Sequence, residues 1–130
     1  KAALPACLCF YQFYVDTKQK KLNLQIYIRS SDYFLANNWN TLTGAFLVNM
    51  ICNLNDINLT PGKLTVITGD THIYKNHIDQ VKENLLRTPR PFPKLIFKCG
   101  GRDSIYDYKY EDVKLIDYCP YKNIKAPMAV

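Results

Sequence analysis

A chain of 130 residues, 48% hydrophobic and 22% charged, has the composition of an ordinary globular domain with a core to bury, which excludes a disordered tail. Seventeen basic against 11 acidic residues leave a net charge of +6, a surplus that favours anionic partners such as phosphorylated metabolites, nucleic acid or an acidic protein. The basic residues are scattered (Lys18, Arg87, Arg90, Lys98, Arg102), so a generally basic surface explains the charge better than a dedicated nucleic-acid stripe.

The five cysteines, Cys7, Cys9, Cys52, Cys99 and Cys119, show neither disulfide-framework nor zinc-type spacing. They read as free thiols of a cytoplasmic protein. Asn58-Leu59-Thr60 fits a glycosylation sequon by pattern only. Apolar runs such as residues 45–48 are far shorter than a membrane span. The first residue is Lys1 rather than Met, just ahead of a predicted strand, so the expectation is a fragment.

Residues 8–15 are apolar and aromatic and predict a buried strand. After a polar turn, Leu22, Leu24, Ile26 and Ile28 alternate with Asn23, Gln25 and Tyr27, the period of a second strand. The two make an antiparallel hairpin whose loop is longer than a two-residue turn. Residues 30–40 read as a polar loop with a helical turn near 33–35. From about Asn40 the spacing of Leu47, Met50, Ile51 and Leu54 predicts a helix. Residues 53–62 predict a loop, residues 63–68 a short strand, and Gly69-Asp70 its end. Asn76 is the expected cap of a helix burying Ile78, Val81 and Leu85, which the prolines at 89, 91 and 93 stop. Residues 95–98 and 110–118 are candidate strands, and residues 126–130 form an apolar tail. The mixture is α/β (α+β), with no Gly-x-Gly-x-x-Gly and no Walker loop.

Three clusters carry groups suited to chemistry. Pro5-Ala6-Cys7 puts a thiol at the mouth of a strand, although a core thiol has the same signature. Arg29-Ser30-Ser31-Asp32 joins a guanidinium and hydroxyls suited to phosphate with a carboxylate that equally suits a turn cap. In the run from Gly69 to Tyr74, His72 and Tyr74 share a side if the segment is extended, with polar tips suited to sugar hydroxyls. A metal site on His72 and His77 lacks the further ligands it needs.

Taken together and in order, these segments resemble a known family. Leu4-Pro5-Ala6-Cys7 with Gln12-Phe13-Tyr14-Val15 resembles the active-site cysteine segment of thymidylate synthase. Arg29-Ser30-Ser31-Asp32 with Phe34-Leu35 and Asn40 resembles its phosphate- and base-binding loop, and Gly69-Asp70-Thr71-His72-Ile73-Tyr74 with Asn76-His77 its sugar-binding strand. Residues 87–95 and the terminal Ala126-Pro127-Met128-Ala129-Val130 match its C-terminal region. The chain departs from the family pattern at Leu8, where His is usual, at Ile28 for Gln, at Ala36 for Gly, and at Asn38-Trp39 for Pro-Phe.

The resemblance implies a mixed β-sheet packed with helices, incomplete as a fragment, with residues 1–130 as the C-terminal part of a single domain. It implies a methyltransferase of dTMP biosynthesis that takes dUMP and 5,10-methylenetetrahydrofolate to dTMP and dihydrofolate without a metal. Cys7 would be the nucleophile at uracil C6. Arg29 and Ser30 would hold the phosphate, Asn40 would read the base, and His72 and Tyr74 would bind the 3′-hydroxyl, with Ser31, Asp32 and Ile73 also at the dUMP site. Asp32 and Ala129 would meet the folate. The complete enzyme would be a cytoplasmic homodimer, and the isolated chain inactive. Two alternatives stay open: a dUMP or dCMP hydroxymethylase, and a non-catalytic half needing an N-terminal partner and touching RNA weakly.

Overall fold

Leu22, Leu24, Ile26 and Ile28 set the architecture, because a strand with one apolar face must bury that face against something. In the computed structural model, which describes residues 5–128, these four side chains and Val48 form the buried core. Their strand β2 (Lys21–Asp32) is the middle of a sheet ordered β1-β2-β3. It pairs antiparallel with β1 (Leu8–Asp16) and parallel with β3 (Thr60–His72). Parallel neighbours need a crossover, and helix α1 (Asn37–Cys52) supplies it, lying over β2 and β3. Gly44 lets the helix approach closely: a Cβ there would stand 3.1 Å from Leu64 Cδ1 and 3.4 Å from Ile26 Cδ1.

The hairpin, its four-residue loop between Asp16 and Lys21, and the period of β2 all match expectation. The burial of β1 does not. Phe10, Tyr11, Phe13, Tyr14 and Val15 are exposed, because β1 is an edge strand beyond the cover of α1. Register sets Phe10 beside Tyr27 and Tyr27 beside Ile67, so the face away from α1 carries an exposed aromatic patch.

Other boundaries moved for reasons that lie outside their local sequence. β3 runs through Pro61-Gly62 and Gly69-Asp70, well beyond residues 63–68, because β2 offers a partner from Lys21↔Thr60 to Asp32↔His72. The expected loop at 30–40 shrinks to residues 33–36: β2 continues to Asp32, whose Oδ1 accepts from the amides of Phe34 (3.1 Å) and Leu35 (3.2 Å) and turns the chain into α1. Within α1 the fully buried residues are Gly44 and Val48, with Ile51 and Cys52 against the core, whereas Leu47 and Met50 are half-buried and Leu54 lies beyond the helix end, bridged to Arg102. A helix covered on two sides needs no single apolar stripe. Burial pushes the Cys52 thiol up from its ordinary pKa.

The second cover is an antiparallel ribbon, β4 (Lys94–Phe97) with β5 (Val113–Ile116), close to the strands expected at 95–98 and 110–118. Phe97 lies between Phe46 of α1 (ring centroids 6.5 Å) and Tyr108 (5.2 Å). The Tyr108 hydroxyl donates to the Asn53 carbonyl at 3.0 Å and accepts from the Asn53 side-chain amide at 2.9 Å. Asn76 caps nothing: it sits in a 3-10 turn (Lys75–His77) ahead of α2 (Ile78–Leu85). This short helix lies at the periphery, so Ile78 and Leu85 are exposed and Val81 is half-buried. The described residues thus form an α+β fold.

Asp112 closes the turn before β5. Its carboxylate accepts from the Lys109 amide at 3.0 Å and from Arg102 Nη2 at 3.0 and 2.9 Å. The Lys109 amide first, then Arg102, hold its carboxyl below the usual range. A carboxyl depressed on folding contributes stability above its unfolded pKa, and that contribution disappears as pH falls through the folded value. Asp112→Asn is therefore expected to flatten the acid limb of the melting-temperature profile below the ordinary carboxylate range. Superimposable profiles for variant and wild type would show that the pair contributes nothing.

Candidate active site

One end of the sheet collects the chemistry. The pairing Leu8↔Ile28 leaves Cys7 just ahead of β1 and beside Arg29. The Arg29 amide donates to the Cys7 carbonyl at 2.8 Å. The Arg29 guanidinium folds back on the same segment, Nε donating to the Ala6 carbonyl at 3.1 Å and Nη2 to the Pro5 carbonyl at 2.8 Å. Three hydrogen bonds from one residue therefore fix the approach of the cysteine strand. Both guanidinium bonds use Nε and Nη2, and Nη1 takes no part in them. The Cys7 side chain is exposed, so it is presented at the surface and not lost in the core.

Parallel register then aligns β2 with β3: Ser30 with Asp70, Ser31 with Thr71 and Asp32 with His72. The Tyr33 amide donates to the His72 carbonyl at 2.9 Å, which locks the two strand ends together. His72 Nδ1 stands 3.4 Å from Asp70 Oδ2. His72 and Tyr74 meet edge to face with ring centroids 4.9 Å apart, as their alternation along the chain predicted. Ile73, between them, is exposed.

Asn40 lies in the first turn of α1, half-buried, its amide on the Ala36 carbonyl at 3.1 Å. It reaches this end of the sheet because the Asp32 turn is so tight. Ser30 is half-buried. Ser31 is different: it has 0% exposure, and its Oγ stands 3.5 Å from Asn37 Oδ1. Its hydroxyl joins β2 to the start of α1, where a ligand-facing group had been expected. Alternation breaks between Ile28 and Ser31 as the strand passes beneath α1. Asp32 performs the turn-capping role that its sequence context also allowed. Ala129 lies outside the described residues.

His77 entered the sequence reading as a rejected metal ligand and as part of the sugar-binding resemblance, without a role of its own, and it emerges, with Ser31, as a fully enclosed polar residue near the site. It is wholly buried, flanked by Phe34 (5.7 Å between centroids) and Tyr74 (5.8 Å), with Nε2 2.6 Å from the Pro127 carbonyl oxygen. Its partner is 50 residues away, so no local pattern could reveal it. The same holds for Arg90, which stacks 3.8 Å over Tyr121 and donates to the Cys119 carbonyl at 2.7 Å. Arg87 donates to the Lys122 carbonyl at 2.8 Å. The two arginines of the proline-rich segment thus fasten the C-terminal stretch. Among the described residues no group of three or more His, Cys, Asp or Glu stands together as a metal site requires, and no helix is long and apolar enough to cross a membrane.

An exposed thiol on a segment whose backbone is held by an arginine stands at the same sheet end as hydroxyl, carboxylate, imidazole and phenol groups. All of the chain, residues 1–130, matches the thymidylate synthase family, and the chain belongs to that family. Membership supports a thymidylate synthase-like function, that of a methyltransferase-type enzyme of dTMP biosynthesis, in a folate-dependent family that binds dUMP.

Proposed function

We propose that this chain carries the nucleophile and the nucleotide-binding groups of a thymidylate synthase converting dUMP and 5,10-methylenetetrahydrofolate to dTMP and dihydrofolate. The observation that supports this most is the alignment of Cys7, Arg29 and His72 at one sheet end by the β1-β2-β3 register. Family membership along the whole chain supports the choice of substrates.

In this reading Cys7 adds as thiolate, the nucleophilic form of the group, to C6 of the uracil ring. Addition opens the C5–C6 double bond and leaves C5 rich in electrons, conjugated to O4. Arg29 keeps its position through the Pro5 and Ala6 carbonyls while Nη1 remains for the 5′-phosphate, joined by the Ser30 hydroxyl. His72 and Tyr74, in contact with each other, hold the 3′-hydroxyl. The Asn40 carboxamide accepts from N3–H and donates to O4; cytosine presents the reverse pattern, and each mismatched buried group costs about 1–3 kcal/mol.

The reduced folate, when bound, supplies the one-carbon unit and the hydride. Asp32 fits it chemically: Oδ1 is committed to two backbone amides, and the second carboxylate oxygen can accept from a pterin N–H. Ala129 is assigned to the folate on family membership alone. The free thiols suit a cytoplasmic setting, and the exposed patch of Phe10, Tyr14, Tyr27 and Ile67 suits a homodimer.

The test is product analysis with the intact protein, dUMP and methylenetetrahydrofolate. Equal amounts of dTMP and dihydrofolate are expected. A 5-hydroxymethyl nucleotide would replace this reading with a hydroxymethylase, and no conversion at all would remove it.

A further inference from the structure

We propose that His77 is a positioning residue that hangs the C-terminal segment on the sugar-binding strand, so that nucleotide at His72 and Tyr74 and the placement of the tail are linked. The proposal rests on the nucleotide reading above and adds to it a coupling between two parts of the site.

The hydrogen bond is directional. A carbonyl oxygen only accepts, so at 2.6 Å from the Pro127 oxygen Nε2 must carry the hydrogen and donate it. The ring has 0% exposure, and Nδ1 is buried with no hydrogen-bond partner among the described residues. A phenylalanine would fill the same space between Phe34 and Tyr74 without burying an unpaired nitrogen. Packing alone therefore disfavours histidine here, and the bond to Pro127 is what the histidine contributes.

The ring is held from both sides of the nucleotide site. Phe34 lies against it at 5.7 Å, and the Phe34 amide is itself bound by Asp32. Tyr74 meets it at 5.8 Å with planes 76° apart, and Tyr74 in turn touches His72 at 4.9 Å. The His77 amide donates to the Tyr74 carbonyl at 2.9 Å, so side-chain stacking and backbone move together. His72, Tyr74 and His77 form a series of rings ending on a tail carbonyl. Pro127 has a restricted φ, which limits the directions its carbonyl can take. A sugar hydroxyl engaging His72 and Tyr74 biases the ring that holds the tail, and the linkage is reciprocal.

Met128, exposed and next to Pro127, provides a reporter. The intact protein is labelled with methyl-13C methionine, the Met128 signal is assigned by its loss in Met128→Leu, and dUMP binding is followed separately by calorimetry. In wild type, dUMP is expected to shift the Met128 methyl resonance. His77→Phe keeps the ring and its packing but deletes the donor: dUMP should still bind while the shift is lost. His77→Gln restores a donor to Pro127 and should restore the shift. His77→Asn, with an amide too short to reach, repeats the loss should the phenylalanine variant fold poorly. An undiminished shift in either donor-less variant overturns the coupling. Failure of wild type to bind dUMP in the calorimeter overturns the nucleotide reading itself, and the coupling with it.

Discussion

Replacing Cys7 by serine is expected to lower kcat by at least about 10³-fold while dUMP affinity changes far less. Serine is nearly isosteric, and the position is exposed, so the substitution leaves the core untouched. The contact that orders this segment is made by the Cys7 carbonyl, which serine retains, so the bond from the Arg29 amide persists. What changes is the nucleophile: a hydroxyl is overwhelmingly protonated near neutral pH, whereas a thiol supplies thiolate. Steady-state turnover with calorimetric dUMP binding separates chemistry from affinity. A serine variant retaining a large part of wild-type turnover would show that another group makes the bond to C6.

Ile26→Ala is expected to produce the largest loss of stability, about 2–5 kcal/mol for truncating a fully buried aliphatic chain. Ile26 has 0% exposure on the central strand, beneath the closest approach of α1 at Gly44. Leu64, which also stands against Gly44, stays in place and holds the helix off the space vacated, so a cavity remains. Ile67→Ala is the control, since Ile67 is exposed on the uncovered face and should cost much less. Urea unfolding of both variants measures the difference. A larger loss at Ile67 would mean that the core lies on the other face of the sheet.

How far the fold could be read from the chain depended on whether each element's structure was decided locally. β2 was legible because a strict period of two along Leu22, Leu24, Ile26 and Ile28 has one structural meaning. The β4–β5 ribbon was visible as two short strands whose pairing no local pattern specified. β3 was underestimated because Pro61-Gly62 and Gly69-Asp70 signal turns, and a long parallel partner overrode them. The helix α1 was legible from its spacing, but not which of its sides are covered, because the ribbon covers a second one. α2 looked amphipathic on paper, yet its apolar residues stay exposed at the periphery.

The candidate site shows the same division. Cys7, Arg29, Asn40, His72 and Tyr74 drew attention as residue types in a recognisable order, and order is a property of the chain. Where the fold puts each of them is not. Arg29 proved to grip the Pro5 and Ala6 carbonyls, and Ser31 turned inward to Asn37. His77 and Arg90 took partners about 50 and 29 residues away. None of these has a local signature.

By itself, then, the amino-acid order determined the family, the α+β class and the alternating face around which the core condenses, since these depend on residue type and short-range period. Only the folded chain decided which face of the sheet is covered, where the strands end, and which polar groups face inward. Those outcomes depend on partners far apart in sequence, whose hydrogen bonds and packing outweigh the modest preferences of any local segment.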